Sequence, residues 1–138
     1  MLDAVIARLN AEVADLGGRV EGAAAVGANG VPENVTALVM PLGLVGARAD
    51  TGTGVFVQEF RETVGVYLIA RSHDRLGKKA LQRLRPLILE IIETIAGWAP
   101  SDEVGVFELS RGALKSMAKG TLIYQIDFSI NDQLRITT

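Results

Sequence analysis

The clearest pattern in the chain runs over residues 121–131, where Leu122, Tyr124, Ile126, Phe128 and Ile130 take every second position. Gln125, Asp127, Ser129 and Asn131 fill most of the positions between. A period of two held this long predicts a strand with one buried and one wet face. The same parity returns in Phe56, Phe60, Val64, Val66, Leu68 and Ala70, with Gln58 and Glu62 as exceptions. Residues 55–71 are therefore expected as a strand or strand pair, bent near Gly65. These two segments are expected at the centre of a sheet, with polar residues on the face turned away from the core. Such a wall can line a cavity, a ring lumen or a partner surface.

The helical period appears twice. Leu2, Val5, Ile6, Leu9, Val13 and Leu16 recur at spacings of three and four, and Gly17-Gly18 follows as a stop. Leu81, Leu84, Leu87, Ile88, Ile91, Ile92 and Ile95 define a second, stronger helix. Ser72-His73-Asp74 offers caps before it, and Gly97 to Asp102 ends it. Pro86 is expected to kink or restart this helix. Short strands are predicted over 19–24 and 35–40, the latter covered on both faces because its apolar residues hardly alternate. Closing strands are expected over 104–109 and 121–136. Residues 25–33 read as irregular chain. Residues 42–54, LGLVGARADTGTG, carry four glycines and few bulky side chains, and are expected to be a mobile loop. The order of elements predicts an α+β fold: a single domain over 1–138, with a mainly antiparallel sheet and two main helices packed on one face.

The chain has 138 residues, a length that suits one core. A formal net charge of −2 argues against a sequence-independent grip on nucleic acid, which needs clustered Lys and Arg. Cysteine is absent, which excludes disulfides, thiolate metal sites and cysteine nucleophiles. Asp3, Arg8 and Asn10 interrupt any apolar secretory core, and the apolar stretch 86–92 is broken by Glu90, so a soluble protein is expected.

Candidate chemistry changes little. His73 is the only histidine; beside Ser72 and Asp74 it reads as a solvated helix-start cluster, because adjacency in sequence does not align a proton relay. Gly52-Thr53-Gly54 lacks the third glycine of a dinucleotide fingerprint, with Val57 in its place, and Gly77-Lys78-Lys79 lacks the features of a phosphate loop. Arg71, Arg75, Lys78, Lys79, Arg83 and Arg85 form the one basic cluster. It reads either as a solvated helix face or as a contact for an acidic neighbouring subunit or passing DNA. Trp98 reads as a core plug over the helix end or as an interface anchor. No catalytic residue, cofactor or metal site is assigned, and an enzyme is not expected.

Several segments, taken in order, resemble the small tail terminator, or tail completion, proteins of bacteriophages and prophages. They are Met1-Leu2-Asp3 to Arg8-Leu9, Val20-Glu21-Gly22-Ala23-Ala24, Pro41-Leu42-Gly43, Gly97-Trp98-Ala99-Pro100, Leu109-Ser110-Arg111-Gly112-Ala113-Leu114 and Tyr124-Gln125-Ile126-Asp127-Phe128. The resemblance implies a hexameric ring in the tail and neck of a virion, assembled in the host bacterial cytoplasm. That ring would cap the head-proximal end of the tail tube, stop its polymerisation and offer a docking surface to the head. It implies as partners other copies of the chain, the tail tube protein and the head–tail connector protein, with DNA passing through the lumen without specific binding and no membrane. It also assigns residues 44–53, with Leu44, Val45, Arg48 and Asp50, to tube or connector contact. Arg75, Lys79 and Arg83 are expected to face acidic groups of a neighbour, Asp102 and Glu103. A head–tail joining ring or tube subunit is the alternative within the same class; a small cytoplasmic ligand-binding domain or enzyme is the alternative outside it.

Overall fold

The computed structural model describes residues 1–22, 35–52, 54–72, 78–102, 104–118 and 120–137. The elements run α1 (Leu2–Glu12), a 3-10 turn (Ala14–Leu16), β1 (Val20–Gly22), β2 (Thr36–Asp50), β3 (Val55–Arg71), α2 (Lys78–Ile95), β4 (Glu108–Ala118) and β5 (Thr121–Thr137). The strands form one sheet in the order β1-β2-β3-β5-β4. Only the β1–β2 pairing is parallel. This is the expected α+β architecture, with β3 in the middle and β5 beside it.

One face of the sheet carries the core. Val64, Val66 and Leu68 of β3 and Leu122, Ile126, Phe128 and Ile130 of β5 are buried against Val5 and Leu9 of α1 and Leu84, Leu87, Ile91 and Ile95 of α2. The helical spacing of these apolar side chains turns one stripe of each helix onto the sheet, leaving the remaining faces to solvent. Ala37, Leu38 and Val39 are all buried, as expected for a stretch covered on both faces. After Leu16 the chain turns through Gly17 at φ 56°, a left-handed conformation that glycine adopts without a Cβ penalty.

Several expectations take a definite form here. Of the kink or restart expected at Pro86, the restart does not occur: the second helix runs continuously through it. Residues 104–107 are not a strand; β4 begins at Glu108, and Phe107 is instead buried, stacking on Trp98 with ring centroids 5.9 Å apart. Of the strand or strand pair expected over 55–71, the single strand forms, running through Gly65. The irregularity lies opposite, in β2 between Pro41 and Gly43, and a Cβ on Gly65 would come within 2.9 Å of Leu42 Cδ1 and Tyr67 Cε1. The largest correction is that most of the glycine-rich stretch expected as a loop, residues 42–50, is the second half of β2. Leu44, Val45 and Gly46 pair with Glu62, Arg61 and Phe60, so backbone hydrogen bonding to β3 overrides the low strand propensity of its glycines. The expected irregular segment 25–33 and the capping residues His73 and Asp74 lie outside the described residues.

Trp98 packs against the core beyond the end of α2, as a plug there would.

Candidate assembly surface

β2, β3 and β5 outrun the helices. The 18 residues of α2 make a rod of about 27 Å, whereas the 17 residues of β3 reach about 56 Å. The excess forms a three-stranded arm: β2 up to Asp50, β3 from Val55 and β5 up to Thr137, paired continuously through Val55 with Thr137, Gln58 with Leu134 and Phe60 with Asp132.

The parity of the core continues into this arm without helices above it. Phe56 and Phe60 share the inward face with Leu134 and Ile136, yet they fall outside the buried cluster, and Leu134 and Ile136 are 42% and 48% exposed. Leu44, opposite Glu62 on the same face, is 61% exposed. Apolar side chains left open at this density are a mark of an interaction surface.

A second apolar strip lies along the other edge of the sheet. β4 pairs with β5 so that Leu109, Leu114 and Met117 lie opposite Phe128, Tyr124 and Leu122 on the helix-bearing side, and all three remain exposed. Beside this strip a cleft of about 400 Å³ opens between α2 and β5, lined by Lys78, Leu81, Gln82, Arg85, Ile88 and Leu89 of the helix and by Tyr124, the partner of Leu114.

The opposite face of the sheet is polar, though less wet than the alternation predicts. Asp127 and Ser129 are buried although the two described helices cover the other face. Ser129 is hemmed in by the hydroxyls of Thr63 and Ser110 on the two neighbouring strands, and Asp127 accepts a hydrogen bond from Gln125 Nε2 at 2.7 Å. Burial, and secondarily the Asp127 charge, raises the Tyr67 hydroxyl pKa above its ordinary 10.0. Nearer the arm, Arg61 bridges Glu108 at 3.1 Å.

Of the interface residues expected from the sequence, Leu44, Val45, Arg48 and Asp50 all lie exposed on the β2 side of the arm, with Val45 73% exposed. Lys79 and Arg83 are exposed on α2, and Asp102 is exposed past the far end of that helix. Among the described residues, no ion pair within one chain joins Arg83 to Asp102. Arg75 and Glu103 lie outside the described residues. The sequence reading missed Phe56, Phe60, Leu134 and Ile136 as surface residues; the available signal was the length mismatch between strands and helices.

Among the described residues, no group of three His, Cys, Asp or Glu side chains is placed to hold a metal ion, and no helix is long and apolar enough to cross a membrane.

No curated protein matches the chain. A solved chain from the virion of a native gene transfer agent particle has a similar fold, with a TM-score of 0.61 and 16% identity over 97% of this chain and 95% of that one. Residues 2–138 match the phage tail terminator protein family, whose members are structural proteins of the tail, and the chain belongs to that family.

Proposed function

We propose that copies of this chain assemble into a ring, a hexamer, that caps the head-proximal end of a finished tail tube, stops its polymerisation and gives the head a surface on which to dock. The observation that carries this reading is the arm, a folded extension with an uncovered apolar face that serves no purpose within one copy. A ring of identical subunits needs two different patches on each copy, and closure is what lets a small protein end a filament. Family membership and a fold found in a virion particle support the same role.

In this reading the exposed tip of the arm, with Val45, Arg48 and Asp50, meets the tail tube or the head–tail connector. Lys79 and Arg83 of one copy face Asp102 of the next. The polar face of the sheet borders the lumen, where an overall weakly acidic chain lets DNA pass without sticking. Assembly takes place in the host cytoplasm and the ring ends in the virion neck.

Electron microscopy of tail tubes mixed with the protein tests the proposal. A sixfold collar on one tube end, and loss of further growth when tube subunits are added, is the expected result. Tubes that elongate through the bound protein would instead make it a tube or joining ring, and a monomer without affinity for tubes would remove the assembly reading.

A further inference from the structure

We propose that the apolar face of the arm of one copy seats in the groove between α2 and β5 of the next copy, beside the exposed strip of β4. The inference rests on the ring reading and specifies its joint.

Three observations lead to it. First, the chain carries two separate apolar patches: exposed Leu134 and Ile136 beside half-buried Phe56 and Phe60 on the arm, and exposed Leu81 and Leu89 at the cleft with Leu109, Leu114 and Met117 on the adjoining strand β4. The arm projects from the body and the groove is recessed, so a head-to-tail contact uses each patch once per copy and covers both. Secondly, their charges are of opposite sign. Glu62 and Asp132 share the arm's apolar face, being paired with Ile130 and Phe60, whereas Lys78 and Arg85 line the groove. Opposite charges around an apolar centre fix the register of docking and disfavour pairing of like patches, arm to arm or groove to groove.

Thirdly, the sheet is poorly built for edge-to-edge assembly, in which the edge strands of neighbouring copies hydrogen-bond to one another. The ladder of β4 shifts register between Leu109 and Arg111 and again between Leu114 and Ser116. β2, beyond its short pairing with β1, shifts between Pro41 and Gly43 and between Gly46 and Ala49. Bulges of this kind twist an edge away from strand addition. Contact through faces is left.

The absence of cysteine in the chain allows a direct test. Single cysteines are placed at Leu134 or Ile136 on the arm and at Leu81, Leu89 or Leu114 by the groove, all exposed positions, and combined in pairs within one chain. After mild oxidation, arm-plus-groove pairs are expected to give a ladder of disulfide-linked multimers ending at the closed ring, while single variants stay unlinked. Light scattering before oxidation, with and without tube ends, reports assembly independently. Multimers that scatter as rings but link in no arm-plus-groove combination overturn the joint, leave the ring standing and assign the arm face to the tube. Linkage only between identical positions, as in a two-fold dimer, overturns it as well. A chain that stays monomeric at every concentration and on tube ends overturns both readings.

Discussion

Arg8 lies over the face of Trp98, its guanidinium carbon 4.8 Å from the ring centroid, while its Nε donates to the Thr94 carbonyl at 2.8 Å. One side chain of α1 thereby grips both the last turn of α2 and the aromatic plug beyond it. A cation at a helix C-terminus and over an aromatic face is favourable on both counts. R8A is expected to destabilise the fold by about 1–3 kcal/mol. Urea unfolding followed by fluorescence reads this directly, because Trp98 is the only tryptophan. An unchanged midpoint would show that the grip adds nothing to helix packing.

The core and the arm should respond oppositely to truncation. I91A or I126A removes fully buried atoms and is expected to cost on the order of 2–5 kcal/mol. L134A, on the uncovered face, should change monomer stability by no more than about 0.5 kcal/mol. Thermal unfolding of the three variants under conditions that keep the chain monomeric makes the comparison; a large loss in L134A would place Leu134 in the monomer's core.

Stability should fall above pH 10 with a component traceable to Tyr67. Its folded pKa is raised by burial and then by the Asp127 charge, so the unfolded chain loses this proton first. The stabilisation that favours the neutral hydroxyl is complete below pH 10 and is lost as pH rises through the folded value. Y67F lacks the group, and its stability should decline less between pH 9 and about 12. Parallel declines in the two proteins would assign the alkaline loss elsewhere.

Charge reversal at Lys79 and Arg83 probes the proposed contact with Asp102. K79E/R83E is expected to weaken the ring most at low salt, where exposed charges are least screened. Sedimentation at two ionic strengths would read the shift. Rings that form equally well at both leave this helix face simply solvated.

Much of the body was legible from local pattern. Alternation in β5 and in the second half of β3 identified the sheet and its buried parity, because successive side chains of a strand point to opposite faces and only one face met the core. The spacing of Leu84, Leu87, Ile91 and Ile95 gave the covering helix. The arm was not legible, for two reasons. Of the four glycines in residues 42–54, Gly43 and Gly46 mask a strand whose hydrogen bonds go to partners as distant as Phe60 and Glu62, and no local propensity reports pairing across a bulge. Alternation also says which face is apolar without saying whether anything covers it, so Phe56, on the parity of Val64 and Val66, read as part of the core face. Likewise Pro86 looked like a break, although α2 tolerates it, and the burial of Asp127 and Ser129 follows from neighbouring strands that a single-strand pattern cannot contain.

The continuity of β3 from Ala70 through Val64 to Val55 has a thermodynamic consequence for assembly. Had the arm been a free loop, ordering it on a partner would cost about 1–2 kcal/mol per backbone residue at the moment of contact. Hydrogen-bonded between β2 and β5, it loses that freedom when the monomer folds, before any neighbour is present. The loss is thus shifted from encounter to folding, where each copy meets it alone and independently of concentration. Association then begins from a preorganised surface, and its strength reflects the apolar area covered and the charges aligned, with little subtracted for conformational entropy.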